Sequence, residues 1–180
     1  MARVFFALEL PDDLRRQIAF LQQKIPVKPG EVKWVEKNNL HITLYFAGEV
    51  DTSTLQQLLK RAEDTATHLK PFTAVIKGIG AFPALSRPQV LWLGIEEGRT
   101  EITSLAKMLT ETKDRSKKPF VPHLTMGRVR AGKKVDLKQF LQQAGDYKAG
   151  SFLVTKFCCF QSKLTPQGPI YTKIKEFFLQ

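Results

Sequence analysis

Leu40-His41-Ile42-Thr43-Leu44 recurs in form as Pro122-His123-Leu124-Thr125-Met126. The two histidines lie 82 residues apart, close to half of the 180-residue chain. Each segment predicts a strand, and residues two apart on a strand point to one face. His41 and Thr43 therefore share a face, with Ile42 and Leu44 on the other. His123 and Thr125 stand the same way against Leu124 and Met126. Each strand offers an imidazole and a hydroxyl to one side and anchors itself in the core with the other. Two half-chain lobes with matching strands place these segments across a pseudo-two-fold cleft.

Outward from the first segment, Arg3 to Leu10 predicts a strand that ends at Pro11. Pro11-Asp12-Asp13 opens a helix carrying Leu14, Ile18 and Leu21 at helical spacing and stopping near Pro26. Val32 to Val35 and Leu40 to Phe46 are short strands. Asp51 or Thr52 caps a helix with Leu55, Leu58, Leu59 and Ala62 on its apolar face. Phe72 to Phe82 is a strand region with a bulge or twist at Gly78 and Gly80. Ala84 to Gln89 is a loop and Val90 to Ile95 a buried strand. Gly98-Arg99 leads into a helix with Ile102, Leu105, Ala106 and Leu109. Lys113 to Pro122 is a basic loop, His123 to Val129 a strand, and Val135 to Ala144 a short helix. Phe152 to Leu164 and Pro169 to Phe178 are two late strands joined by the turn Thr165-Pro166-Gln167-Gly168. The sum is an α+β fold: two pseudo-symmetric lobes of mostly antiparallel sheet, with outer helices around a central cleft. No linker divides the chain, so residues 1–180 are expected to form a single bilobal domain.

The formal net charge is +11, with 43% hydrophobic and 25% charged residues. That composition is globular rather than disordered. No apolar run approaches the roughly 18 residues of a membrane helix, and no signal peptide is expected at the start. Cys158 and Cys159 are adjacent, so a bridge between them is strained, and a reduced cytoplasmic protein is expected. The basic balance points to phosphate-bearing partners, nucleic acid above all, against the plainer reading of a solvated lysine-rich surface. The basic residues are spread along the chain, which favours a folded basic face over a disordered arm.

Of three histidines, two have threonine two places on, among 14 threonines in the chain. The chance probability is roughly 0.02, so the pairing is treated as signal. A single His-x-Thr is more often a polar strand residue; the matched pair shifts the balance to catalysis. One neutral imidazole removes a proton and one imidazolium donates one, and histidine reaches both states near neutral pH. The hydroxyls suit the non-bridging oxygens of a phosphate, with Arg128 and Arg130 adding charge-assisted bonds. His68 has no such company and reads as a solvated helix end. Two histidines without a paired carboxylate are too few for zinc, so no metal and no cofactor are expected. There is neither a Gly-rich phosphate loop nor a G-x-S-x-G elbow. Phe5, Phe6, Trp34, Phe46, Phe82 and Trp92 interleave with basic residues and offer stacking surfaces for unpaired bases, though most must be core. On the first strand Phe6 and Phe5 point to opposite faces and cannot share a role. The loop Arg87-Pro88 could offer a phosphate contact, against the plainer reading of a surface arginine.

These residues resemble the 2H phosphoesterase superfamily, whose two H-x-T-x motifs correspond to His41-Ile42-Thr43-Leu44 and His123-Leu124-Thr125-Met126. The stretches Arg3 to Leu8 with Pro11, Trp34-Val35, Phe46 with Gly48-Glu49-Val50, and Arg87-Pro88 through Gly94 resemble its bacterial and archaeal branch. That branch comprises the RNA 2′,3′-cyclic phosphodiesterases, once called 2′-5′ RNA ligases. The resemblance implies metal-independent opening of a 2′,3′-cyclic phosphate at an RNA end to leave a 2′-phosphate. By motif position, His41 would be the proton donor and His123 the proton acceptor, with Thr43 and Thr125 holding the phosphate. Arg128 matches a basic position of the family, and Phe6 would be the base-stacking residue, with Phe46 beside it in substrate binding. Tyr45 departs from the basic residue that relatives often carry there. The implied partners are RNA ends or small nucleotide phosphodiesters, met by a monomer away from membranes. Two rival readings stand: 2′-5′ RNA ligase or 2′-5′ phosphodiesterase activity at the same site, and a non-catalytic RNA-end binding protein.

Overall fold

The computed structural model describes residues 1–110, 119–166 and 168–180. The basic loop expected from Lys113 lies mostly outside them. β1 (Ala2–Glu9) runs between two antiparallel neighbours, β3 (His41–Val50) and β8 (Lys156–Leu164). Beyond β8 lies β9 (Pro169–Phe178). On the other side, β6 (His123–Val129), β5 (Arg87–Ile95), β4 (Phe72–Ala84) and β7 (Lys148–Val154) continue the sheet. The order is β7-β4-β5-β6-β3-β1-β8-β9, every pairing is antiparallel, and β2 (Val32–Trp34) is a short extra strand on β6.

The two motif strands β3 and β6 meet at one rung, Ile42 opposite Leu124. That rung is the seam between a β1-β3-β8-β9 half and a β4-β5-β6-β7 half.

The sheet is strongly curled, and the connectivity requires it. Thr155 alone joins β7, at one edge, to β8, six places along. Six strand spacings of about 4.8 Å would separate them by roughly 29 Å in a flat sheet. From Val154 to Lys156 the chain takes two Cα–Cα steps and reaches only ~7 Å. The expected strand Phe152 to Leu164 is therefore two strands in line, which bring the sheet almost round upon itself.

Two of the helices, α1 (Asp12–Lys24) and α3 (Arg99–Leu109), cross between the halves. α1 packs on β7 and α3 on β3, while α2 (Thr52–Ala66) packs on α3 and β9. The Asp51 carboxylate accepts from the Thr54 N–H at 2.7 Å and caps α2. α4 covers only Lys138–Gln143 of the expected Val135 to Ala144. The core joins the inner helix faces (Leu14, Ile18, Leu58, Ile102, Leu105) to one face of the sheet, including Phe6, Leu8, Ile42, Leu91, Leu93 and Leu124. A separate small cluster of Phe5, Ala7, Cys158 and Phe160 covers the opposite face of β1, with Tyr171 packed against it.

Two local expectations change. Most of the loop expected over Ala84 to Gln89 is the end of a β4–β5 hairpin, with Pro83 opposite Pro88. Prolines tolerate that position because few ladder bonds remain to lose at a hairpin end. The bulge expected in β4 is present: Gly78 has φ +86°, and the register slips between Ile76 and Ile79. Among the described residues no helix is long and apolar enough to cross a membrane.

Candidate active site

His41 and His123 are the first residues of β3 and β6, and the backbone treats them alike. The His41 Nδ1 lies 2.7 Å from the Asn39 carbonyl oxygen, and the His123 Nδ1 lies 2.7 Å from that of Val121. A carbonyl only accepts, so each Nδ1 carries its proton and donates. Each Nε2 is left as the nitrogen that gains or gives up a proton. His41 Nε2 lies 3.0 Å from Thr43 Oγ1. Continued one residue either way from the Ile42–Leu124 rung, the register sets His41 opposite Thr125 and Thr43 opposite His123. The motif strands thus supply the site side by side in one sheet, with the histidines on one diagonal and the threonines on the other.

Aromatic rings hold both imidazoles. Phe5 and Tyr171 pack on His41 at centroid distances of 5.0 and 5.5 Å. Phe82 and Trp92 pack on His123 at 5.1 and 6.4 Å. Burial among these neighbours pushes the His41 pKa below its ordinary value, and the Asn39 carbonyl opposes that shift only in part. Burial raises the Tyr171 phenol, and the charges of Arg128 and Arg3 act against it.

A cavity of about 390 Å³ opens beside His41. Thr43, Thr125, Arg128 and Phe46 line it, as do Phe5, Trp34 and Tyr171. Its charged lining is Arg3, Lys33 and Arg128 against the carboxylate of Glu36. His123 stands outside this lining, half-buried at the start of β6.

Strict alternation would put Thr125 and Arg128 on opposite faces. A bulge prevents this: Leu91 pairs with Gly127 while Trp92 pairs with Thr125, so β6 holds one extra residue there. β3 does the same, with Phe6 opposite Tyr45 and Ala7 opposite Thr43. Thr43 and Phe46 thereby share the cavity, as Thr125 and Arg128 do. The β6 bulge is pinned from α1: the buried Gln22 Nε2 donates to the carbonyls of Met126 and Val35, both at 2.9 Å. Gly127 lets Trp34 lie flat on this bulge, since a Cβ there would sit 2.7 Å from the indole.

Two expectations are corrected. Phe6, expected to stack on a base, is completely buried among Tyr45, Phe157 and Phe177. Phe5 is the ring of that strand at the site. Arg130 lies past the end of β6, exposed and outside the cavity lining, and its N–H donates to the Glu31 carbonyl. Tyr45, which departs from the basic residue of relatives, packs its ring against Phe6 on the core side. His68 and Arg87 are exposed and away from the cavity, as expected. Sequence reasoning missed Arg3, Lys33, Asn39 and Tyr171. The Tyr171 contact joins residues 130 positions apart and leaves no local signal.

Among the described residues, one group has metal-ligand geometry: Glu9, Cys158 and Glu176, with ligand atoms within 4.8 Å of one another. Lys173 Nζ occupies that place, 2.7 Å from both carboxylates. Burial raises both cysteine thiols to about 12, so they are poor thiolates.

This fold sets two histidines on adjacent strands beside two hydroxyls and an arginine, groups suited to cleaving a phosphoester. The profile of the LigT-like phosphoesterases matches the chain twice, over residues 8–92 and 93–171, once for each half. The chain belongs to the LigT-like phosphoesterase family, the 2H family, and is an enzyme of that class. An RNA 2′,3′-cyclic phosphodiesterase of Methanothermobacter thermautotrophicus is 34% identical over 98% of each chain. One of Archaeoglobus fulgidus is 35% identical over 97% of this chain and 99% of its own. The structure of Escherichia coli LigT complexed with NADP+ superposes with a TM-score of 0.78 at 31% identity, covering 99% of this chain and 98% of that one.

Proposed function

We propose that this protein hydrolyses the 2′,3′-cyclic phosphate of RNA ends to a 2′-phosphomonoester without a metal. The carrying observation is the matched pair of imidazoles, each with Nδ1 committed to a carbonyl two residues upstream. His123 Nε2 takes a proton from water as the water oxygen attacks phosphorus. The bond from phosphorus to the 3′-oxygen breaks, and its electron pair leaves on that oxygen. His41 Nε2–H gives the 3′-oxygen a proton, so one proton enters and one leaves the histidine pair. Thr43 and Thr125 donate to the non-bridging oxygens, and Arg128 answers their charge. Burial favours neutral His41 in the free protein. The anionic phosphate acts in the opposite sense and stabilises the imidazolium once substrate is bound. Residues 1–180 act as one bilobal unit, and two free buried cysteines suit the reducing cytoplasm.

The test is a short RNA ending in a 2′,3′-cyclic phosphate, incubated in chelator with wild type, His41→Ala and His123→Ala. Conversion to a 2′-phosphate end is expected, with each variant reduced by roughly 10²-fold or more. Intact RNA binding without turnover by the wild type would refute the reading.

A further inference from the structure

The two halves of the site match in form through the third residue after each histidine, and the bulges that follow bring the fifth residues to matching places. In one half that residue is Arg128, and in the other it is Phe46. The matching bulges in β3 and β6 turn both toward the cavity. Phe46 offers no charge of its own, but it carries one. The Arg3 guanidinium lies over its ring, 4.9 Å from the centroid, and Phe46 is 49% exposed. The first half thus also presents a guanidinium, delivered from β1.

Stacking uses the face of a guanidinium and leaves its N–H donors free around the rim. That rim suits bidentate bonds to a phosphate. No carboxylate among the described residues pairs with Arg3, Lys33 or Arg128. Lys33 stands directly across from Arg128, so these two charges share one wall, whereas Arg3 comes from β1, in the other half of the sheet. A cyclic phosphate is a monoanion. Two cations on one wall suffice for it, and the third has no task there.

We propose that Arg3, laid on the Phe46 ring, is a subsite for the phosphodiester on the 5′ side of the terminal nucleotide. The cleft then prefers RNA chains to lone nucleotides. This rests on the proposed reaction, and names the part of the substrate that the reaction itself does not need.

The test compares KM for adenosine 2′,3′-cyclic phosphate with KM for a dinucleotide ending in the same group. In the wild type the dinucleotide KM is expected to be lower by roughly tenfold, the scale of one charge-assisted contact. In Arg3→Gln, and in Phe46→Leu, which removes the platform, that advantage falls below roughly threefold. With a longer single-stranded substrate, Arg3→Gln also flattens the slope of log KM against log salt by about 0.7, as loss of one phosphate contact requires. Equal KM values in the wild type overturn the proposal. So does an advantage that survives Arg3→Gln, or an Arg3→Gln variant that raises both KM values by the same factor. A wild type that turns over neither substrate refutes the reaction instead. Calorimetric titration of the 2′-phosphorylated dinucleotide then decides on Arg3: weaker binding by Arg3→Gln supports the subsite, and equal binding overturns it.

Discussion

Phe6→Ala and Phe5→Ala differ by one position on one strand, and the structure predicts opposite consequences. Phe6 has no exposed surface and touches Tyr45, Phe157 and Phe177 across the main core. Truncating such a ring costs roughly 3–5 kcal/mol in lost transfer energy and cavity formation. A domain of this size loses about 2–4 °C of Tm per kcal/mol, so Tm should fall by roughly 6–20 °C. The kcat/KM per folded molecule should hold, because Phe6 faces away from the cavity. Phe5 belongs to the small cluster and lies 5.0 Å from the His41 ring. Its truncation admits water beside His41, relieves the burial that lowers the His41 pKa, and changes the pH profile. Urea or thermal unfolding by circular dichroism measures the first variant, and steady-state kinetics across pH the second. A Phe6→Ala protein of wild-type stability but weakened RNA affinity would show that the faces of β1 have been assigned the wrong way round.

Three further outcomes are expected. In its proposed role of proton donor His41 must carry a proton, and burial holds its pKa below the ordinary 6.5; the high-pH limb of kcat/KM, which reports the free enzyme, should therefore lie below 6.5 and move upward in kcat. A kcat/KM limb above 6.5 would give the acid role to another group. Lys156 and then Lys173 hold the Glu176 carboxyl at about 2 against an ordinary 4.5. A depressed carboxylate contributes stability above its unfolded pKa and loses it as pH falls toward the folded one, so stability should decline between pH 4.5 and 2, and Glu176→Gln should flatten that decline in acid-unfolding curves. Gln22→Met removes the donor that Met126 and Val35 share and should cost about 1–3 kcal/mol; denaturant unfolding measures the loss, and a rise in KM should accompany it as Thr125 and Arg128 lose their fixed bulge.

The motif residues were legible because their signal is local. An imidazole and a hydroxyl two apart on a strand need no knowledge of distant chain to share a face. Most strands, the Asp51 cap and the glycine bulge in β4 were legible for the same reason. What escaped depended on register. A period of two cannot put Thr125 and Arg128 together; an inserted residue does, and its presence is settled by pairing with β5. Strict alternation also proposes Arg130 alongside Arg128, but past Val129 the chain has left the strand. β1 is buried on both faces, so its sequence could not say whether Phe5 or Phe6 faced the site. Thr155 carries no mark of a strand ending, because the break reflects a change of partners rather than of residue type.

The inequality of Phe46 and Arg128 gives the cleft a polarity. A cleft with true two-fold symmetry would accept a phosphodiester in two equivalent poses, each histidine equally able to serve as base or acid. Substrate would then arrive backwards half the time, its leaving oxygen beside the imidazole that lacks the proton. A motif guanidinium on one side and a ring bearing a borrowed guanidinium on the other make the two poses unequal in energy. On the proposed reaction, direction along the RNA, 5′ to 3′, is thus written into a fold built from two related halves.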